Sequence, residues 1–214
     1  MNFVVTCGPS YEPIDQARRL TNFSTGRLGI FLSNTWGARG ARVTCLKGEG
    51  ATCPDPLLGV VVPTAFSTNQ DLLDRLTALP DRDGFQAVFH AAALCDFRVS
   101  RVENEAGPMA ASAKFSTRDG ALRLVLEPTI KVLPRLPGLF PGARVIGWKY
   151  ELNGGPAAAF AAAERQLTET GIAACVLNGA AHGPGFTVCT GDGRRLPCTT
   201  PAELADALWN FVQG

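Results

Sequence analysis

Short strand-like runs recur along this chain, and a helix-length stretch follows most of them. The runs are Phe3 to Cys7, Ala41 to Leu46, Ala87 to Ala93, Arg144 to Tyr150 and Ala174 to Leu177. Ala87-Val88-Phe89-His90-Ala91-Ala92-Ala93 is continuous and almost wholly apolar, the pattern of a strand covered on both faces. A chain that alternates such strands with helices buries them most simply in a mostly parallel sheet with helices on both sides. The reading is one α/β domain over residues 1–214, with no repeat and no linker to divide it. Hydrophobic residues are 46% of the chain, enough for a core and against disorder. The net charge of +1 implies no global attraction to nucleic acid or to an anionic membrane. No apolar run approaches the roughly 20 residues that span a bilayer. The N-terminus lacks a basic region and a cleavage site, so it reads as the first strand rather than a leader.

Seven cysteines (Cys7, Cys45, Cys53, Cys95, Cys175, Cys189, Cys198) are scattered without a C-x-x-C, and His90 and His182 stand alone. That argues against a zinc site or a disulfide framework and for reduced thiols in a cytoplasmic protein. The first strand ends at Gly8-Pro9-Ser10 and opens a long loop, Tyr11 to Ser24. A helix is expected from Thr25 to Ala38, with Leu28, Phe31, Leu32 and Trp36 on one face and Gly40 as its stop. A strand at Gly59 to Val62 and a helix at Asn69 to Leu79 follow. Val99 to Ser112 reads as a mobile loop, and Lys114 to Thr117 with Ala121 to Leu126 as a hairpin turning at Arg118-Asp119-Gly120. Pro128 is expected to open a short helix broken by Pro134. Pro156 to Thr170 is a helix closed by Gly171, and Phe186 to Cys198 a hairpin. A last helix is capped by Thr200, with Pro201 and Glu203 completing a capping box.

In open parallel sheets ligands bind beyond the carboxyl ends of the strands. By this reading four segments lie there: Gly8 to Ser10, Asn22 to Gly29, Ala92 to Phe97, and Asn178-Gly179. Asn22-Phe23-Ser24-Thr25-Gly26-Arg27-Leu28-Gly29 precedes a helix and is either an anion site of free N–H groups and hydroxyls or an ordinary cap with glycines for close packing. It is neither a Walker loop nor a G-x-G-x-x-G fingerprint, which counts against a pyridine-nucleotide oxidoreductase. Asp96 ends a buried strand, where a carboxylate holds Mg²⁺, a ribose hydroxyl, or merely a local turn. Lys114 is a phosphate partner or a solvated lysine, Trp148 a stacking wall or core packing, and Arg18 and Arg19 anion partners or surface.

These segments together resemble the phosphopantothenoylcysteine synthetase family, the C-terminal domain of the DNA/pantothenate metabolism flavoproteins. Glu12-Pro13-Ile14-Asp15, Arg18 and Asn22 to Gly29 carry the signature. Ala91 to Phe97, Lys114 to Thr117, Leu126-Glu127-Pro128, Gly147 to Glu151 and Val176-Leu177-Asn178 continue it in order. The resemblance implies a modified Rossmann-like sheet with a β-hairpin dimerisation arm at about 99–127, and a homodimer. It implies a ligase that joins 4′-phosphopantothenate to cysteine through an acyl-nucleotidylate, with ATP or CTP as co-substrate, Mg²⁺, and release of pyrophosphate. Gly8, Ser24, Gly26 and Gly29 would line the triphosphate, and Cys95, Phe97, Trp148 and Asn178 would meet the nucleotide. Arg18, Asn22, Ala92, Ala93 and Asp96 would bind substrate, with Asp96 also toward Mg²⁺. Asn22, through its amide on the carboxylate or acyl oxygen, and Lys114, on the transferred phosphorus, would be catalytic. Departures are Trp148 for the family's Phe, Phe115-Ser116-Thr117 in place of a second and third lysine, and Gln166 where many members have a lysine. They leave the base preference open, and leave open a divergent paralogue acting on a different carboxylate. The flavin-binding domain fused to many members is not in this sequence, so no flavin is expected.

Overall fold

A computed structural model describes residues 1–59, 61–110 and 112–214. The strands are β1 (Asn2–Cys7), β2 (Tyr11–Pro13), β3 (Arg19–Thr21), β4 (Arg42–Gly48), β5 (Val61–Phe66), β6 (Ala87–His90), β7 (Phe97–Asn104), β8 (Gly107–Pro108), β9 (Arg123–Pro128), β10 (Arg144–Tyr150), β11 (Ala174–Asn178), β12 (Phe186–Thr190) and β13 (Arg195–Cys198). The helices are α1 (Arg27–Ala38), α2 (Asn69–Thr77), α3 (Leu136–Leu139), α4 (Gly155–Thr170) and α5 (Pro201–Gln213). Among the described residues eight strands form the main sheet in the order β13-β12-β11-β10-β6-β1-β4-β5. From β5 through β11 all pairings are parallel; β12 and β13 are antiparallel. The expected α/β architecture is present.

Alternation along the strands splits the core in two. Phe3, Val5, Phe89 and Ile146 face α1 and α5, meeting Trp36, Leu204 and Leu208. Val4, Val88 and Val145 face the other side, meeting Leu72 of α2, Leu136 of α3 and Ala163 of α4. On the first face the Phe3 ring meets Trp36 and Phe89 edge-on at 5.6 and 5.4 Å, and Trp36 Nε1 donates to the Ala205 carbonyl at 3.1 Å. Thr200 caps α5 by accepting from Glu203 N–H at 3.2 Å; the Glu203 carboxylate reaches past it to Thr199 N–H at 2.7 Å. No helix among the described residues is long and apolar enough to cross a membrane.

Five expectations are corrected. The Tyr11–Ser24 loop contains the small antiparallel pair β2–β3. The regular ladder of the alanine-rich strand stops at His90, with one further bridge between Pro9 and Ala93. Much of the expected loop is strand: β7, through Asn104, pairs with β8 and β9 in a separate three-stranded arm. Its alternation is masked by a bulge at Ser100 and by exposed charged residues on both faces, including the Arg98–Glu127 pair. Lys114 to Thr117 is therefore not a hairpin strand, because β9 takes β7 as its partner. Pro128 closes β9, and Pro134 lies in the first turn of a short 3₁₀ helix (Leu133–Arg135), where its missing N–H costs nothing. Val60, within the expected strand Gly59 to Val62, and Ala111, within the expected loop, lie outside the described residues.

Candidate active site at the sheet switch point

From β1 the chain winds outward through β4 to β5, then returns to the other side of β1 with β6 and winds the opposite way to β10 and β11. The carboxyl ends of β1 and β6 therefore flank a crevice at the switch point, the place where open α/β sheets bind ligands. Gly8-Pro9-Ser10 leaves β1 on one side and Ala91 to Asp96 leaves β6 on the other. The two segments are tied by Ala93 N–H to Gly8 O at 2.9 Å and Ser10 N–H to Ala93 O at 3.2 Å.

The amino end of α1 points into this crevice. Its cap is Gly26, with φ +77°, which offers no side chain to the first turn; Thr25 Oγ1 accepts only from Arg27 N–H at 3.3 Å. No acidic residue stands in that turn, so the positive end of the helix is uncompensated. Gly8 and Gly26 pack together under Ala51: a Cβ on Gly8 would lie 2.9 Å from Ala51 Cβ and one on Gly26 3.1 Å, and both have the positive φ that disfavours a side chain. Gly29 has a packing duty instead: a Cβ there would lie 2.2 Å from Cys7 Cβ, so its bareness seats α1 on β1. Ser24 is half-buried beside this cradle.

Asn22 joins the cradle to the other wall. Its Nδ2 donates to Ala93 O at 3.1 Å and Leu94 O at 3.0 Å. Two carbonyls can only face the donor end of an amide, so Oδ1 is the group left for a ligand. The amide N–H groups are engaged in these two bonds. Cys95 is also redirected. Its N–H goes to Ser10 Oγ at 2.8 Å, its carbonyl accepts from Asn69 Nδ2 at 2.8 Å, and burial raises its thiol pKa. It positions the loop and lines the cavity described below.

Asp96 is exposed and paired with Lys131, while its carbonyl accepts from Thr129 N–H at 3.0 Å. Among the described residues no three His, Cys, Asp or Glu side chains gather to hold a metal. A lone carboxylate already bonded to an ammonium does not hold Mg²⁺ by itself. Phe97 opens β7 with its ring half in solvent. Trp148 packs in the α1-side core, with Nε1 the one buried side-chain polar atom among the described residues that lacks a partner. Asn178 ends β11, and its carbonyl accepts from Glu151 N–H at 2.9 Å.

Arg18 and Lys114 are brought together away from this cluster. Asp15 accepts from the N–H groups of Ala17, Arg18 and Phe115 at 2.8, 2.7 and 3.2 Å, and the Arg18 guanidinium donates to Phe115 O at 2.7 Å. Burial works against the charged Asp15 carboxyl, but these N–H groups and Arg18 outweigh it and lower its pKa. Arg18 thus helps clamp the segment that carries Lys114.

A cavity of about 400 Å³ opens from the crevice on the face of the sheet opposite α1. Ala92 and Asp96 line it together with His90, Lys131 and Gln166. Sequence reasoning missed His90 and Lys131, and missed Asn69 as the buried partner of Ser10. Ser10 Oγ donates to Asn69 Oδ1 at 2.7 Å, and Asn69 Nδ2 reaches Ile130 O at 3.1 Å as well as Cys95. The only sequence signal for Asn69 was its place at the start of a helix.

Residues 1–212 match the family model described as the DNA/pantothenate metabolism flavoprotein C-terminal domain. The coenzyme A biosynthesis bifunctional protein CoaBC of Thermococcus kodakarensis is 28% identical over 216 residues, covering 98% of this chain and 50% of that protein. The protein of the same name from Mycobacterium tuberculosis strain H37Rv is 30% identical over 198 residues, covering 89% and 44%. The chain thus spans about half the length of these curated relatives. The crystal structure of the DNA/pantothenate metabolism flavoprotein from Streptococcus pneumoniae superposes with a TM-score of 0.85 at 21% identity, covering 100% of this chain and 98% of that one. A structure of the Cab2 mutant H337A in complex with phosphopantothenate-cysteine gives 0.74 at 18% identity, covering 99% and 85%. At such identities the structures establish the shared fold, and the full-length model match establishes more: the chain belongs to the DNA/pantothenate metabolism flavoprotein C-terminal domain family.

Proposed function

We propose that this chain joins 4′-phosphopantothenate to cysteine in coenzyme A biosynthesis, at the expense of ATP or CTP. The observation that carries the reading is the Asn22 amide, bonded to both Ala93 and Leu94, which couples an open helix amino end to the loop leaving β6 at the switch point. The names of the matched relatives, and the phosphopantothenate-cysteine in the Cab2 complex, support the substrate pair.

In this reading the triphosphate lies over the cradle of Gly8, Ser24 and Gly26, against the positive end of α1. The substrate carboxylate attacks the α-phosphorus, pyrophosphate leaves, and an acyl-nucleotidylate forms. The cysteine amine then attacks the acyl carbon, the nucleoside monophosphate leaves, and the amine loses its extra proton. Asn22 Oδ1 accepts a hydrogen bond from that amine and aims its lone pair at the carbon. Lys114, held in place by Asp15 and Arg18, neutralises phosphate charge. The exposed Phe97, Leu124 and Leu126 on the arm support a homodimer joined there, and seven free thiols support a reducing, cytoplasmic setting.

Pyrophosphate release with 4′-phosphopantothenate under ATP or CTP, with and without cysteine, tests the proposal. Release that requires phosphopantothenate, and turnover once cysteine is added, is the expected result. Asn22→Ala is expected to bind nucleotide yet form no amide. Absence of release with either nucleotide would shift the reading to another carboxylate.

A further inference from the structure

The chain carries seven buried, free cysteines whose thiols the reaction above does not use. Two of them face each other. Cys175 of β11 and Cys189 of β12 are direct register partners in an antiparallel pair. Residues so opposed project from the same face of a sheet, and both side chains lie in the core on the α4 side. The ladder sets their Cα atoms about 4.5–5.5 Å apart, inside the roughly 4.4–6.8 Å that a disulfide spans. The Cβ atoms of such a pair, about 4.5–5.5 Å apart, need at most about 1 Å of closure.

The sulfur atoms that already touch belong to a different pair, whose backbone opposes a bridge. Cys7 Sγ and Cys45 Sγ are 3.8 Å apart, but Cys45 lies opposite Val5 and Cys7 opposite Lys47. An offset of two residues on neighbouring strands sets their Cα atoms roughly 8 Å apart, beyond the limit of about 7 Å. Cys189, in contrast, lies under a lid at the surface. Its register partner on the outer side is Arg195 of β13. The Arg195 guanidinium stacks 4.1 Å from the centre of the Phe160 ring and lies 2.6 Å from the Glu164 carboxylate of α4. Both charged side chains are about half exposed, so the ion pair holds the lid only weakly.

We propose that Cys175 and Cys189 form a thiol–disulfide site, which a low-molecular-weight disulfide, RSSR, oxidises to a reversible cross-strand bridge between β11 and β12. The Cys189 thiolate attacks one sulfur of RSSR, giving a mixed disulfide and expelling RS⁻. The Cys175 thiolate then attacks Cys189 Sγ, the bond to R breaks, and a second RS⁻ leaves. The two cysteine protons end on the two departing thiols; the cysteines lose two electrons and RSSR gains them. Burial raises both thiol pKa values, that of Cys175 to about 12, so few thiolates are present and the exchange is slow at neutral pH. The change reaches the cavity through Gln166, whose Nε2 donates to Cys175 Sγ at 3.4 Å and to Trp148 O at 3.3 Å. Bridging draws the Cys175 sulfur toward β12 and leaves Gln166 with the Trp148 carbonyl alone. The assignment depends neither on the nucleotide nor on which carboxylate is activated.

The test is incubation of the native, full chain with glutathione disulfide, followed by acid quenching, alkylation and peptide mapping. The chain is expected to lose two of its seven free thiols. The Cys175 peptide should be joined to the Cys189 peptide, and dithiothreitol should separate them. The bridge closes a loop of about 15 residues, so the oxidised chain is expected to melt roughly 6 °C higher. Arg195→Ala removes the lid and is expected to speed bridging about tenfold. Cys175→Ser should stop at glutathione held on Cys189. Arg195 is a surface residue, so its variant tests the site even if the Cys175 variant does not fold. Retention of all seven thiols by both the intact chain and Arg195→Ala overturns the proposal. So does a bridge between Cys7 and Cys45, or glutathione trapped on Cys189 of the intact chain without closure.

Discussion

Asn69→Ala is the perturbation whose cost can be worked most fully. Asn69 is 1% exposed, and its side chain makes three hydrogen bonds: from Ser10 Oγ, to Cys95 O and to Ile130 O. These tie the exit of β1, the start of α2, the loop after β6 and the segment after β9 into one unit. The helix itself does not need the side chain, because the cap is Thr68, whose hydroxyl accepts from Asp71 N–H at 3.1 Å. Alanine is also the better helix former. The loss therefore falls on the network. Three bonds at about 1 kcal/mol each give roughly 3 kcal/mol, and Ser10 keeps its bond from Cys95 N–H, which limits further loss. An unfolding entropy of about 2.1 cal/mol/K per residue makes that a fall in Tm of roughly 7 °C for a chain of this length. Thermal unfolding followed by circular dichroism measures it. Asn69→Asp should melt no higher than Asn69→Ala, since it sets a carboxylate oxygen against the Cys95 and Ile130 carbonyls. A shift under about 2 °C, or an Asp variant clearly more stable than the Ala variant, would refute the accounting.

Three further outcomes follow from the same reasoning. Gly29→Ala should cost about 2 kcal/mol: close overpacking costs about 3 and helix propensity returns about 1. Adding Cys7→Ala should not rescue it in urea unfolding, because the clash is with Cys7 Cβ. His90 should give the fold an acid limb. Burial lowers its pKa from 6.5 to about 4, so the unfolded chain binds the proton first and stability falls as pH drops from 6.5 toward 4. The loss is up to about 3 kcal/mol by linkage, and a flat profile over that window matching that of His90→Gln would count against it. Asp15→Asn should loosen the segment around Lys114, seen as faster amide exchange at residues 113–115 with the main sheet unchanged; equal exchange would dissociate Lys114 from the clamp.

The sheet was legible because its strands are buried on both faces and announce themselves by composition. Arg144 to Tyr150 is matched at both ends, and the Ala174 and Phe186 elements begin where expected. The arm was not legible. Its strands are largely exposed, with Val102 the buried exception, and interrupted by a bulge at Ser100, so neither an apolar run nor a clean alternation marks them. Among site residues, Gly8, Asn22, Gly26 and Asp96 could be placed near the strand ends because strand, loop and helix order dictates what lies there. The direction in which each polar group points could not be read in that way.

Sequence alone determined the class of fold, the crevice at the carboxyl ends of β1 and β6, and the open amino end of α1, since these depend on local periodicity and chain order. Only the tertiary structure decided what each group has left to offer. Asn22 turns out to present an acceptor, Arg18 and Cys95 serve as ties between segments, and His90 and Gln166 line a cavity. The reason is that a side chain's free valence is what remains after its neighbours are satisfied, and those neighbours come from distant parts of the chain: Ala93 for Asn22, Phe115 for Arg18, Thr6 for His90.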